Sequence, residues 1–520
     1  MKGKVGVKIS FGERVWMGVA GGVVLGLAIY MRLLHVGLNF FQDEVYTLLA
    51  TQGVLQHGLP VMPSGLVYVR AFPMTYLAAA FSYVVQPPEI AVRGAAILVG
   101  LLSLLFIQCV VQRKFDYWHG LIAAAVVAIS PWHAFYSLFA RSFLAQSLCF
   151  AVILYLWIRY IQSQKTGYLL WSCVIALLVA MLSPVSVLLV PVMICMLGYV
   201  GRRRIIATTE MGLIMVCMII LCAGLVLPPV VAPWKMFSYG SDFIVPSLFF
   251  FKFLLANVPI LFLVNVMAFI DYGRKRDEHV IFPMFTLLSI TILSVFNPFG
   301  NLQPRYVANF IVPMFLTAAI WLPHFLDQIA AAFPSRSKKG HKARWLLAGY
   351  VVLMLATVDL PRLPEYLRLN YGQPTTGTIQ VSSSWLTFPD ISSHVKVLNN
   401  RYSDGDIVVS LQPRGQTEAY TTVPIDYYLR TRNYENETHL NVNNIRVDDY
   451  SAIPVLSSAA QFGHVIREAQ SEDRTIWVVS SASEKLSLDH IDLATYNHLI
   501  ENFTVVYTGR DNESKLYQLH

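Results

Sequence analysis

Val15-Trp-Met-Gly-Val-Ala-Gly-Gly-Val-Val-Leu-Gly-Leu-Ala-Ile-Tyr-Met-Arg-Leu-Leu34 carries a single charge, Arg32. Asn39-Phe-Phe-Gln-Asp43-Glu44-Val-Tyr-Thr47 follows almost at once. The first stretch has the roughly 20 apolar residues that a membrane-spanning helix needs. It is too long for the apolar region of a signal peptide and has no small-residue cleavage site, so it reads as a retained anchor. The second stretch sets two adjacent carboxylates where the chain leaves the bilayer. Charges at that depth are costly and mark function by default.

The pattern repeats along the chain. Of 520 residues, 55% are hydrophobic and 13% charged, about half the charged share of a soluble protein. Mean hydropathy is +0.53. Apolar stretches fall near residues 15–34, 94–112, 119–137, 142–160, 168–182, 185–200, 206–230, 246–270, 280–297, 306–326 and 344–360. Phe72–Val85 is shorter and suits an interfacial helix. If it does not cross, the basic groups Lys2–Arg14, Arg113-Lys114, Arg159–Lys165, Arg202–Arg204, Arg274–Arg276 and Arg336–Arg344 all fall on one side, as the positive-inside rule requires. Crossing there would invert every later loop. The expectation is therefore eleven spans in a multi-pass protein of the plasma (inner) membrane. The N-terminus lies inside, a long loop 35–93 lies outside, and so does the C-terminal part. The net charge of +8 belongs to these topological clusters and not to nucleic-acid binding.

Two parts are predicted: a helical membrane body, 1–360, and a soluble extracytoplasmic α/β domain, 361–520. In the latter, β-branched runs at Asp406–Leu411, Thr475–Ser480 and Phe503–Thr508 alternate with helical patterns near 391–400, 454–469 and 489–501. All six cysteines lie in apolar stretches, which argues against a disulfide framework. Asn436, Asn502 and Asn512 begin glycosylation sequons, which have meaning only in a eukaryotic secretory setting.

Three outer constellations point to chemistry. Asp43 and Glu44 suit a general base that deprotonates an acceptor hydroxyl, the neighbour orienting it; the plainer alternative is a solvated helix cap. Ser130-Pro-Trp-His-Ala-Phe-Tyr-Ser-Leu-Phe-Ala-Arg141 forms a hairpin. Its arginine at the membrane edge needs an anion, a lipid phosphate or the Asp43 carboxylate, unless it merely snorkels. In Asn297-Pro-Phe-Gly-Asn-Leu-Gln-Pro-Arg305-Tyr306, Arg305 before a helix start suits a phosphate. Tyr68 and Arg70 close a Gly/Pro-shaped loop fit to line a sugar pocket. His35, His57 and His133 have no metal-ligand spacing, and Lys235 and Lys252 read as interfacial residues.

These motifs together resemble a GT-C glycosyltransferase of the family 39 type, the group of the protein O-mannosyltransferases and lipid A aminoarabinose transferases. The resemblance rests on Asp43-Glu44-Val-Tyr-Thr, Pro63-Ser-Gly-Leu-Val-Tyr68-Val-Arg70, Arg93, Ser130-Pro-Trp-His133, Tyr136-Ser-Leu-Phe-Ala-Arg141 and Arg305-Tyr306. It covers the first half well and the second sparsely. It implies inverting transfer of one sugar from a polyprenyl-phosphate donor to an extracytoplasmic acceptor (glycan, lipid or protein). In that reading Asp43 and Glu44 are catalytic, Arg141, Arg305 and Tyr306 hold the donor phosphate, and Tyr46, Tyr68, Arg70, His133 and Tyr136 line the substrate pocket. The family often has Gln-Glu where Leu138-Phe139 stand here, so an acid able to help hold a metal is missing. No metal ligand is assigned, and a divalent cation is the cofactor left open. The Trp-Trp-Asp signature of oligosaccharyltransferases is absent from the tail. Competing readings are a transporter or flippase of lipid-linked sugars and a polysaccharide polymerase or ligase. The first is weakened by the lack of internal repeats and by spans whose main polar residues are Gln146, Asn257 and Asn265.

Overall fold

The computed structural model describes residues 11–40, 42–201, 206–231, 249–296, 304–332, 339–358, 360–368, 390–411, 417, 420–432, 438–441, 443, 445–448, 451–480, 491–512 and 514–519. The side chains of Asp43 and Arg305 lie outside the described residues, as do Arg202–Arg204, Lys235, residues 297–303 and Asn436.

The body runs through α1 (Phe11–Leu33), α2 (Gln42–His57), α3 (Phe72–Ser82), α4 (Pro88–Lys114), α5 (Tyr117–Ala128), α6 (Pro131–Leu138), α7 (Phe143–Ser163), α8 (Gly167–Leu182), α9 (Leu189–Gly201) and α10 (Thr208–Val231). It continues through α11 (Phe249–Asn257), α12 (Pro259–Lys275), α13 (Ile281–Phe296), α14 (Ile311–Ala332), α15 (Lys339–Ala356) and the short α16 (Leu363–Leu367). Among the described residues, five helices are long and apolar enough to cross a membrane, and seven if the bent pairs α5–α6 (69°) and α11–α12 (113°) each count as one span. Four shorter apolar helices, Gly167–Leu182, Val185–Gly201, Thr208–Ala223 and Arg344–Ala356, fall on the remaining apolar stretches of the sequence. The 11-residue α3 is too short to span.

Burial sorts the helices. The span of α14 is 94% buried and stands at the bundle centre, whereas that of α1 is only 11% buried. A helix apolar all round belongs either in a core or in lipid, and the two helices occupy these two places. The segment between α1 and α4 is not an open loop. Val45, Leu48, Leu49, Leu66, Met74 and Ala78 pack with Ala95 and Val99 of α4 into a separate core, one that seats α2 and α3 on the bundle.

The soluble domain is a three-layer α/β unit. Its strands are β1 (Ile407–Ser410), β2 (Tyr427–Leu429), β3 (Thr438–Leu440), β4 (Arg446–Asp448), β5 (Val455–Leu456), β6 (Ile476–Ser480), β7 (Thr504–Thr508) and β8 (Lys515–Leu519). The main sheet has the order β5-β2-β1-β6-β8-β7. Its first four strands are parallel, β8 runs antiparallel to β6 and to β7, and β3–β4 form a separate hairpin. The central strands β1 and β6 are buried along their whole length, as strands covered on both faces must be. Val408, Trp477 and Val479 pack on α17 (Ile391–Arg401). Ile407, Val409, Ile476 and Val478 pack on α18 (Ala459–Ser471) and α19 (Leu493–Asn502). The helix expected over 454–469 divides instead. Val455-Leu456 pair with β2, and Ser458, whose side chain accepts the Gln461 N–H, caps the helix that follows.

Candidate active site

The site is organised around Arg93, one turn inside α4. Its Nε donates to Glu44 Oε1 at 3.0 Å and its Nη2 to Glu44 Oε2 at 2.9 Å, with both side chains 1% exposed. The remaining donors hold the chain leaving α1. Nη1 donates to the carbonyls of Val36 (2.9 Å) and Leu38, and Nη2 to that of Asn39 (3.1 Å). The Phe40 ring lies 4.8 Å from the guanidinium carbon. Buried backbone carbonyls outside a helix need donors, and a guanidinium offers five in a fixed fork. Residues 36–44 are therefore folded around one cation.

Glu44 makes a third contact, accepting the Ala140 N–H at 3.0 Å. Ala140 lies in the elbow between α6 and α7, directly before Arg141. Arg141 in turn donates to Tyr68 Oη. Tyr68 is delivered by a small hairpin in which Val61 bridges Val67 and the Met62 N–H reaches Leu66 O at 2.8 Å. Gly65 turns this hairpin at φ +81°, a conformation that suits glycine. The Tyr46 and Tyr68 rings lie 6.4 Å apart. The structure thus brings Glu44, Tyr46, Tyr68 and Arg141 together, and Arg70 is exposed at the end of the same hairpin.

Tyr306 stands at the same end of the bundle as Arg141. The Val312 N–H donates to Ser147 Oγ at 2.9 Å, and the short 3-10 segment Pro304–Phe310 packs along α7. The far ends of these helices also meet. Gln162 donates to Glu278 at 2.7 Å, Lys114 lies 3.1 Å from His279, and the His324 ring is 5.0 Å from that of Phe115. α7 and α14 therefore run parallel, and Arg305-Tyr306 precede Val312 about as far as Arg141 precedes Ser147.

His133 and Tyr136 lie on α6, in the packed interior. His133 is fully buried. Its Nδ1 is 2.7 Å from Arg32 Nη2, a donor, so its Nε2 carries the proton toward Ser103 Oγ at 2.8 Å. Ser137 Oγ donates to the His133 carbonyl at 2.6 Å. This network ties α1, α4 and α6 together. The Tyr136 hydroxyl is buried without a partner, and its ring sits edge-on to Phe139 and Phe143. Sequence reasoning missed the Arg32 and Arg93 networks. The available signal was an arginine in the last turn of α1 and another one turn inside α4, each beside a long apolar run.

Among the described residues, Asp277, Glu278 and His279 are a group whose ligand atoms lie within 4.8 Å of one another. The Lys114 ammonium is 3.1–3.2 Å from both His279 ring nitrogens and already serves as the cation there.

A polytopic helical body whose elements bring Glu44 and Arg141 together, followed by an α/β domain, is the architecture of the GT-C membrane glycosyltransferases, and the chain has that fold. The family model described as dolichyl-phosphate-mannose-protein mannosyltransferase matches residues 69–227, a segment that contains Arg93 and Arg141. Among solved structures, ArnT from Cupriavidus metallidurans bound to undecaprenyl phosphate is similar with a TM-score of 0.63 at 12% identity, over 98% of each chain. Its apo state gives a TM-score of 0.62 at 12% identity, again over 98% of each chain. The archaeal oligosaccharyltransferase AglB from Archaeoglobus fulgidus, in complex with an inhibitory peptide and a dolichol-phosphate, gives 0.50 at 10% identity, over 90% of this chain and 70% of that one. No curated protein sequence matches the chain.

Proposed function

We propose that this protein is an inverting glycosyltransferase of the plasma (inner) membrane that moves one sugar from a polyprenyl-phosphate donor to an extracytoplasmic acceptor. The observation that carries the reading is the Glu44–Ala140 hydrogen bond, which joins the acidic helix start to the Arg141 elbow. A base and a phosphate-binding cation then share one site. ArnT binds undecaprenyl phosphate and AglB a dolichol-phosphate with a peptide, the donor class and a kind of acceptor that suit this arrangement.

The roles divide by their surroundings. Glu44 is engaged by Arg93 and Ala140 and serves as a structural anchor, which leaves Asp43 as the base. An acceptor hydroxyl attacks the anomeric carbon from the face opposite the phosphate and gives its proton to Asp43. The glycosidic C–O bond breaks, and its electron pair leaves with polyprenyl phosphate. Arg141, Arg305 and the Tyr306 hydroxyl counter the phosphate charge, a placement effective in a water-poor site. Tyr46, Tyr68 and Arg70 border the sugar, and the basic loops face the cytosol.

The test uses the full chain in nanodiscs with a panel of undecaprenyl-phosphate-linked hexoses and pentoses, reading release of undecaprenyl phosphate. Asp43→Asn is expected to lower release at least about 100-fold, the scale of a general base, with unchanged membrane insertion. Near-normal turnover by that variant refutes the base assignment.

A further inference from the structure

The soluble domain reaches into the site through one hydroxyl. Tyr420 Oη accepts the Phe40 N–H at 2.6 Å, across 380 residues of sequence, and its ring lies 6.3 Å from the Phe40 ring. Phe40 is the residue whose ring covers the Arg93 guanidinium, and Arg93 grips Glu44. A continuous set of contacts therefore runs from the soluble domain to the start of α2.

Its far end is firmly held. The Tyr420 N–H donates to Thr417 O at 3.0 Å, and the buried Thr417 hydroxyl is 2.9 Å from Ser410 Oγ at the end of β1. Thr421, next in the chain, donates to Asn399 of α17 at 3.0 Å. Tyr420 is thus braced against both the sheet and a helix. Lower down, the Tyr366 hydroxyl donates to Met31 O at 2.7 Å, and its ring meets that of His35 at 4.9 Å. Two tyrosines from beyond the last apolar stretch fasten the segment 31–40 that leads to Asp43. Covering the site would need only contact. An acceptor aimed at one backbone N–H, beside the cation that orients the acidic helix start, fixes geometry.

We infer that Tyr420 is a positioning residue through which the soluble domain sets the start of α2, where Asp43 lies. This inference rests on Asp43 as base. Tyr420 touches no reacting atom. Its hydroxyl fixes Phe40, Phe40 seats Arg93, and Arg93 holds the turn that presents the doublet. A misplacement of even about 1 Å is enough to cost turnover heavily, so the effect belongs in kcat and not in donor affinity.

Tyr420→Phe removes the acceptor and keeps the ring. In the full-length protein in nanodiscs, two measurements follow. Hydrogen exchange should show faster exchange over residues 38–46, with β1 and β6 unchanged because the domain core is intact. Donor turnover should show kcat lowered about tenfold, the scale of one lost hydrogen bond with its buried partner left unmade, at unchanged donor KM. Tyr420→Ala should lower kcat further. Unchanged protection over 38–46 overturns the inference, as does lost protection with normal kcat, or a raised donor KM with normal kcat. If the wild-type protein releases lipid phosphate from no donor, the transferase reading falls and takes the catalytic half of the inference with it. The exchange data still decide the contact.

Discussion

Arg93→Met tests whether one cation organises the segment from Val36 to Glu44. The guanidinium holds Glu44 by two bonds and, at 3.1 Å or less, three backbone carbonyls besides. Removing one member of a buried ion pair costs about 3–5 kcal/mol, chiefly because the other charge is left uncompensated. The carbonyls of Val36, Leu38 and Asn39 also lose their donor, at about 1 kcal/mol each. Glu44→Met breaks the same pair but orphans only the Ala140 N–H, about 1 kcal/mol. Arg93→Met should therefore be the more damaging by about 2 kcal/mol, the difference between three lost partners and one. The double variant should cost no more than Arg93→Met alone, because two methionines leave no stranded charge. Arg93→Lys should recover charge compensation but not the fork, and fall between. The assay is reversible unfolding in mixed micelles by dodecyl sulfate titration, followed by far-UV circular dichroism. Single costs that add in the double variant within about 0.5 kcal/mol, or equal costs for the two single variants, would refute the reasoning.

Two further outcomes are expected. In the soluble domain, burial of His394 holds its imidazole down to about 4 against the opposing pull of Asp511 and Asp390. The unfolded chain then binds a proton that the folded domain refuses, so stability falls as pH drops from about 6.5 toward 4, by at most roughly 3 kcal/mol. His394→Gln should flatten that dependence, and an unaltered pH profile of unfolding would count against it. For topology, a cysteine at Arg203 in a cysteine-free background should be shielded from impermeant thiol reagents in intact cells and one at Asp404 labelled. The reverse pattern would invert the positive-inside assignment.

Much of the fold was legible because the bilayer imposes a length rule. The eleven apolar stretches each coincide with a helix or a bent helix pair, and the short Phe72–Ser82 helix stays out of that set. In the soluble domain, β1, β6 and β7 and the helices α17 and α19 were visible as β-branched runs and apolar periodicity. The two- and three-residue strands β2 to β5 were not, because so short a strand has no period and forms only when a neighbour offers an edge. β8, Lys515-Leu-Tyr-Gln-Leu519, buries two adjacent residues, Leu516 and Tyr517, and so has no period-2 pattern to mark it.

The site was legible in its residue types and not in its pairings. Asp43-Glu44 marks itself by the cost of charge near lipid, yet nothing local says which acid is free. That depends on Arg93, 49 residues on, and on a backbone N–H at Ala140. The Glu44 carboxylate, which receives a fork and an amide, is held in one place by three donors. His133 teaches the same lesson from the other side. The motif Ser130-Pro-Trp-His133 invites a role in chemistry, but Arg32 and Ser103 occupy both ring nitrogens, and the imidazole joins helices instead. Side chains whose polar atoms the fold has already claimed, as with His133 and Glu44, are thus to be read as structure before they are read as chemistry.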